Sequence, residues 1–154
     1  IPPKMNAGAL SEKLAHLGAN MLLKMLKNLE ENLRNAVPQP DHGCAYAAKI
    51  SKESCRIDWN DSCENILRHI RAFSPTPSAW SEIDGMRIKI LDADVVTVDA
   101  VASGGEIGCL GDRLLVSCGN GRLALTEIQP EGKRKMSGEE FFRGHRHLLG
   151  KSFG

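Results

Sequence analysis

The sequence predicts a mainly β protein: a small closed barrel of about five strands with flanking helices, preceded by a long amphipathic helix and a proline-containing linker. Leucines at helical spacing run through the first 33 residues, and "NAVPQPDHG" follows them. Between residues 79 and 129, short apolar alternations are separated by turn residues. A length of 154 residues, 42% of them hydrophobic and 25% charged, is typical of a globular protein with one core.

The N-terminal helix is predicted from about Ala7 to Leu33, with a bend at Gly18. Its polar positions mix lysines and glutamates, which disfavours a basic membrane-surface helix. Its apolar residues are therefore expected to pack on protein, and the two prolines after it end the helix and begin a linker. The residues with helical spacing are Leu10, Leu14, Leu17, Met21, Leu22, Leu26, Leu29 and Leu33.

A second helix is predicted to begin at Asp61, with Glu64 three residues later as a capping box. Ile66, Ile70 and Phe73 share one face of it. Pro75 follows soon after Phe73 and ends this helix.

The strands are predicted in "SAWSEIDGMRIKILDADVV" and "GGEIGCLGDRLLVSCGNGRLALTEIQ". Asn120-Gly121 predicts a hairpin with a type I' turn, which needs positive φ at both central residues. About five strands at this spacing, with little helix among them, favour a closed barrel over an open sheet. Asp92, Asp94 and Asp99 are interpreted as solvent-facing strand positions, and a last helix is predicted from about Ser137.

The five cysteines are odd in number and form no C-x-x-C pair, so neither a disulfide framework nor a zinc site is indicated, and a reducing cytosol is expected. No apolar run approaches the ~20 residues that cross a bilayer, and no signal peptide is visible. The first residue is Ile1 rather than Met, which suggests that further chain lies upstream.

No catalytic site is indicated by the residues themselves. The five histidines have no cysteine or carboxylate partner at a catalytic spacing. Cys63 near a helix start is interpreted as buried and inert. Trp59, Phe73 and Trp80 are interpreted as packing anchors rather than as base-stacking platforms.

The positive charge is concentrated at the C-terminal end. Residues 133 to 154 contain six Lys or Arg and two Glu, although the whole chain has a net charge of only +1. Lys133, Arg134 and Lys135 are adjacent, and Arg143 and Arg146 are spaced to share a helix face. A solvated turn is the ordinary interpretation of such a run; a polyanion such as RNA is the alternative.

Four segments, in this order, resemble the C-terminal part of the methionyl-tRNA formyltransferase family: "CAYAAKISKESCRIDW", "HIRAFSPTPSAW", "MRIKI" and "QPEGKRKM". The sequence departs from the family pattern in "SGGEIG", where Gly104 and Glu106 differ from the usual Pro-Gly-Thr, so a looser turn is expected there.

The resemblance implies an enzyme that transfers a formyl group from 10-formyltetrahydrofolate to the amino group of methionyl initiator tRNA. It places the catalytic residues in an N-terminal domain whose motifs are not in this sequence, so these residues are expected to be non-catalytic and to hold no folate. It makes residues 1–35 the last helix of that domain, 36–57 a linker, and 58–154 an OB-like Greek-key barrel that binds tRNA. A bacterial cytosol or an organelle matrix is the expected location, without a membrane partner.

The residues expected to contact tRNA are the C-terminal cations and two from the matched motifs: Lys133, Arg134, Lys135, Arg143, Arg146, Arg71 and Lys89. Two alternatives remain open: a related folate-dependent formyltransferase acting on a sugar nucleotide, and a protein-interaction module whose functional surface is the leucine stripe. If the helix over residues 7–33 lacks a partner, self-association through it is also expected.

Overall fold

The computed structural model describes residues 1–96 and 103–154. The N-terminal half contains helices α1 and α2 and, after an extended segment, the 3-10 helix Glu53–Cys55 and helix α3. The bounds are α1 Ala7–Lys27, α2 Leu29–Arg34, α3 Cys63–Phe73, β1 Ala79–Ile83, β2 Met86–Val96, β3 Ile107–Leu110, β4 Arg113–Cys118, β5 Gly121–Pro130, β6 Met136–Ser137 and α4 Gly138–Gly144, followed by the 3-10 helix Arg146–Leu148.

The strands form one antiparallel sheet in the order β1-β2-β5-β4-β3, with β6 paired to β5. Strands β3, β4 and β5 are successive neighbours, and the other long edge of β5 pairs with β2, which is distant from it in sequence. This is the Greek-key order, so the predicted mainly β barrel with flanking helices is confirmed. The described residues contain six strands rather than about five because β6, only two residues long, pairs with Glu127 and Ile128.

The last five residues, here called the closing segment (150–154), join the two outer strands of the sheet. The Ile107 N–H donates to the Lys151 carbonyl at 2.8 Å, and the Phe153 N–H donates to the Gly105 carbonyl at 3.0 Å. On the other side, the Gly154 N–H donates to the Glu82 carbonyl in β1 at 2.9 Å. The barrel is therefore closed by backbone outside its six strands. The bond from Phe153 also holds Gly105 of "SGGEIG". That this turn is looser than the usual one of the family stays a prediction.

The core consists of inward-facing strand residues together with α3 and α4. Ile88 and Ile90 of β2 are fully buried, because alternate residues of a strand face the same side. Trp59 and Phe153 stack with ring centroids 5.6 Å apart, and the Trp59 Nε1–H donates to Ser81 Oγ at 2.9 Å. Trp59 is thus the packing anchor that the sequence predicted. Other buried core side chains are Ile66, Ile70, Leu114, Val116, Leu123, Ile128, Phe141 and Phe142.

The N-cap of helix α3 lies one residue later than predicted. It is Ser62, whose Oγ accepts the Asn65 N–H at 3.3 Å, so the capping box from Asp61 to Glu64 was wrong. Asp61 instead accepts the Asn65 side-chain amide at 2.9 Å and the Ser62 N–H at 2.7 Å. These two hydrogen bonds to the carboxylate, the Asn65 bond first, lower the pKa of Asp61.

The β4–β5 hairpin turns at Gly119-Asn120, because Cys118 pairs with Gly121. The type I' turn predicted at Asn120-Gly121 was therefore wrong; Asp84-Gly85, with φ of 50° and 75°, has the positive angles such a turn needs. A tertiary contact accounts for the shifted turn. The Asn120 side-chain oxygen accepts the Cys63 N–H at 2.8 Å, and this fixes the turn against the start of α3.

The N-terminal helix is interrupted at Asn28 and not at Gly18, which lies within α1. The Asn32 side chain donates to the Met25 carbonyl at 3.0 Å across that break. Most of the leucine stripe is exposed, so within the described residues it does not pack on protein. The exposed large apolar residues of α1 and α2 are Leu14, Leu17, Met21, Leu22, Leu23, Met25, Leu26, Leu29 and Leu33, each 45% to 64% exposed.

Cys63 and Cys118 form a disulfide between α3 and β4, with Cα atoms 5.8 Å apart. The expectation of no disulfide was wrong for this pair, because the fold brings together two cysteines that are 55 residues apart in sequence. Cys63 is buried, as predicted, but is not a thiol. Asp92 and Asp94 are exposed, as predicted, whereas Asp99 lies outside the described residues. In the ranges 1–96 and 103–154, every helix is too short or too polar to cross a membrane.

Candidate nucleic-acid interface

The three adjacent cations 133–135 lie in the turn between β5 and β6. The Lys133 N–H donates to the Pro130 carbonyl at 3.1 Å, and the Gln129 side chain donates to the Lys133 carbonyl at 3.0 Å. These bonds fix the backbone and leave the side chains of Lys133 and Lys135 exposed. Neither lysine forms an ion pair with any described residue.

Two of the other predicted cations already have carboxylate partners. Arg134 pairs with Glu140 at 2.8 Å, and Arg146 pairs with Asp112 in the β3–β4 turn at 2.6 Å. All four side chains are at least 42% exposed. Exposed pairs of this kind contribute only about 0 to 1 kcal/mol, so a phosphate can replace the carboxylate at small cost.

Arg143 and Arg146 do not share a helix face. Helix α4 ends at Gly144, and Arg146 lies in the following 3-10 helix with its guanidinium 5.5 Å from the Phe142 ring centroid. Arg143 is exposed at the end of α4. The prediction of a shared helix face was wrong, because α4 ends at Gly144 and Arg146 begins a separate 3-10 helix.

Lys89 lies next to the basic turn. It pairs across the sheet with Gln129, and its exposed side chain lines a cleft of about 220 Å³ together with Arg87 and the turn residues Pro130, Glu131 and Gly132. The structure thus brings Lys89 and the 133–135 segment to one surface.

Arg71 lies elsewhere. It is half-buried near the end of α3 and lines a different cleft, formed with the first residues of the chain and the start of α1. That cleft shares no lining residue with the one beside the basic turn.

The residues Lys52, Arg56, Arg87 and Trp80 were missed. Arg87 and Lys89 face outward from β2 because Ile88 and Ile90 face inward, and the alternation of "MRIKI" was the available signal. Trp80 was predicted as a packing anchor, yet it is only half-buried and has two guanidinium groups over its ring, Arg87 at 4.2 Å and Arg56 at 5.5 Å. Lys52, Trp80, Arg87 and Lys89 line a second cleft of about 190 Å³.

Two of the five histidines pack on phenylalanine rings, whereas His16, His42 and His147 are exposed. His145 stacks on Phe141 with centroids 4.1 Å apart, and its Nδ1 lies 2.8 Å from the Phe141 carbonyl oxygen. His69 meets Phe73 edge to face at 4.8 Å. Among residues 1–96 and 103–154, no three His, Cys, Asp or Glu side chains are grouped to hold a metal ion. What the surface around Lys89 offers chemically is a set of cations and the ring of Trp80, which suits anion binding.

The sequence matches a known family model, described as formyl transferase, C-terminal domain, over residues 49–146. The chain is 42% identical over 149 residues to a methionyl-tRNA formyltransferase of Neisseria meningitidis serogroup C, covering 96% of the chain and 48% of that protein. It is 38% identical over 144 residues to one from Rhodopseudomonas palustris, covering 91% of the chain and 45% of that protein. The chain therefore spans about half the length of the curated relatives it matches.

Among solved structures, variants of HypX from Aquifex aeolicus have a similar fold. One aligns with a TM-score of 0.67 at 18% identity, covering 92% of this chain and 26% of HypX. HypX in complex with tetrahydrofolic acid aligns with a TM-score of 0.60 at 21% identity, covering 79% of this chain and 22% of that one. At these identities the likeness shows the fold alone.

The resemblance to formyltransferases that the motifs indicated is confirmed. Because the family model spans the chain from the segment before α3 through the six strands to α4, the chain belongs to the family of formyl transferase C-terminal domains.

Proposed function

We propose that these residues are the tRNA-binding C-terminal part of a methionyl-tRNA formyltransferase, the enzyme that transfers a formyl group from 10-formyltetrahydrofolate to methionyl initiator tRNA. The identity of 42% over 149 residues to relatives of that name carries the assignment. The substrate is polyanionic, and the basic turn at 133–135 with Lys89 beside it is a surface that can neutralise RNA phosphates.

The proposed division of the chain is residues 1–35 as part of the catalytic domain, 36–57 as linker and 58–154 as the tRNA-binding barrel. Two observations support it. Residues 36–50 contain no helix or strand and are exposed, and the buried core begins only at Cys55. The family match begins at residue 49, within the proposed linker.

Folate binding and formyl transfer belong, in this proposal, to the part of the relatives that these 154 residues do not cover. The role left to the chain is to hold the tRNA. Lys133, Lys135, Lys89 and Arg143 would meet phosphates directly, whereas Arg134 and Arg146 would exchange their carboxylates for phosphates. Arg71, which lines a separate cleft, would contact the tRNA at a different place from the other cations. A cytosolic or organelle-matrix location goes with this assignment.

The test is a titration of the 154-residue chain with initiator tRNA over a series of salt concentrations. Each neutralised phosphate contributes about 0.7 to 0.9 to the slope of log affinity against log salt. Lys133→Gln/Lys135→Gln should therefore flatten the slope by about 1.4 to 1.8 if both lysines contact phosphates.

Lys13→Gln/Lys24→Gln, which removes the same charge from exposed positions on α1, is the control and should leave the slope unchanged. A wild-type affinity that does not respond to salt would refute tRNA binding through these cations. An equal effect of the two double variants would refute the assignment of the turn.

Self-association through α1 and α2 is the second part of the proposal. Nine large apolar side chains of these helices are exposed, and a face of that kind is commonly covered by another protein surface. In the isolated chain, we propose that a second copy of the chain packs on this apolar face.

A further inference from the structure

We infer that the RNA-binding surface centres on the outer face of β1 and β2, where Trp80 holds Arg87 and Arg56 in position for RNA phosphates. This inference rests on the proposed function and adds Lys52, Arg56, Arg87 and Trp80 to it. The C-terminal cations then form one edge of the surface and not its middle.

The geometry at Trp80 is the first observation. The Arg87 guanidinium lies 4.2 Å and that of Arg56 5.5 Å from the ring centroid, both within the ~6 Å range of a cation–π contact. A guanidinium on an aromatic face loses little of its hydrogen-bonding capacity, because its donors lie in its own plane. Two arginines held in this way are prepared for bidentate contacts with phosphate oxygens.

The absence of internal partners is the second observation. Among the described residues, Lys52, Arg56, Arg87 and Lys89 form no ion pair, and their side chains donate no hydrogen bond. The Nε of Arg87 is shielded from solvent and has no partner there. By contrast, Arg134, Arg146 and Lys151 are each paired with a carboxylate. Four cations without an internal partner therefore lie together around Trp80.

Trp80 is itself fixed from two sides, which makes it a positioning residue. Its Nε1–H donates to the Lys52 carbonyl at 2.8 Å, and its backbone carbonyl accepts the Ile57 N–H at 2.9 Å. The segment that carries Lys52 and Arg56 is thereby bound to β1. The indole thus orders cations from two parts of the chain.

The surface is continuous with the basic turn. Arg87 and Lys89 line both the cleft that contains Lys52 and the cleft beside Gly132, which precedes Lys133. One carboxylate, Glu131, lines the cleft beside Gly132, and its backbone N–H donates to the Arg87 carbonyl at 2.9 Å. Positive side chains therefore extend from Lys52 across β2 to Lys133, a path along which an RNA backbone can lie.

The first experiment compares Arg56→Gln/Arg87→Gln with the control Lys13→Gln/Lys24→Gln in the same tRNA titration. The arginine variant should flatten the salt slope by about 1.4 to 1.8 and weaken binding on the order of tenfold near physiological salt, whereas the control should match the wild type. If Lys133→Gln/Lys135→Gln weakens binding but the arginine variant behaves like the control, the inference is overturned and the proposed function stands. If the wild type binds no tRNA, the proposed function fails and the inference with it.

The second experiment compares Trp80→Phe with Trp80→Leu. Both lose the indole N–H, and only the leucine variant loses the aromatic face. Trp80→Leu should bind initiator tRNA about two- to fivefold more weakly than Trp80→Phe, with both variants shown to be folded by thermal unfolding. In the Arg56→Gln/Arg87→Gln background this difference should disappear, because the ring then has no guanidinium to hold. A difference that persists there would mark Trp80 as purely structural and contradict the positioning role.

Discussion

Gly138 shows how strictly a single residue can be determined by its surroundings. It begins α4, and a Cβ built on it would lie 2.0 Å from the carbonyl oxygen of Leu125 and 3.5 Å from Cβ of Leu114. The first of these atoms is backbone of β5 and cannot move aside easily. A glycine at this position therefore lets α4 pack directly on the barrel.

Gly138→Ala is accordingly expected to lower the free energy of unfolding by about 1 to 3 kcal/mol or more, the usual cost of forcing atoms into a filled space. Gly144→Ala, at the other end of the same helix, has nothing within 4 Å of its Cβ and should be neutral or slightly stabilising. Urea unfolding of both variants checks this. Equal stabilities would show that α4 can shift away from β5 without cost.

Single residues also mark where sequence patterns stop being informative. The outward positions of Arg87 and Lys89 follow from strand alternation and were open to prediction. The contact of the Arg87 guanidinium with Trp80 could not be predicted, because it depends on the pairing of β1 with β2. The partner of Arg146 could not be predicted for a similar reason, because Asp112 lies 34 residues away in sequence.

At the scale of elements, the strands were predictable because their inward residues repeat with period two, and α3 because its apolar residues repeat with helical spacing. The closing segment could not be predicted from the sequence. "GKSFG" has no strand pattern, and it forms ladder bonds only because the edges of β1 and β3 lie on either side of it. The β4–β5 turn was displaced by a similar cause, the bond from Cys63 to Asn120.

Phe153 is the anchor of the closing segment, 5% exposed and stacked on Trp59. Phe153→Ala is expected to lower the free energy of unfolding by about 3 to 5 kcal/mol, since it removes a buried ring and leaves a cavity next to Trp59. Leu149→Ala, four residues earlier and 53% exposed, is the control and should change stability little. Denaturant unfolding followed by tryptophan fluorescence measures both; an unchanged midpoint for Phe153→Ala would mean that the barrel does not depend on its closing segment.

At the scale of the whole molecule, two surfaces of opposite character coexist. The net charge of +1 conceals a basic surface on β1, β2 and the 133–135 turn, in which Arg134 alone has a carboxylate partner among the described residues, while α1 and α2 expose an apolar surface. The strand pattern and the family resemblance predicted the barrel, and the charge pattern of residues 133–154 predicted the cations at its edge. Which cations remain unpaired is a property of the assembled surface, and only the structure reveals it.

The apolar face yields the last prediction, that the isolated chain self-associates as its concentration rises. Burying a leucine side chain stabilises an interface by about 1.5 to 3 kcal/mol, so a few such residues suffice for a dimer. Leu22→Gln/Leu26→Gln, at positions 58% and 55% exposed and four residues apart on α1, should give a monomer. Leu110→Gln/Leu149→Gln, both 53% exposed but outside these helices, should behave like the wild type. Light scattering across a concentration series decides this: a wild type that stays monomeric throughout would show that the helices need no cover.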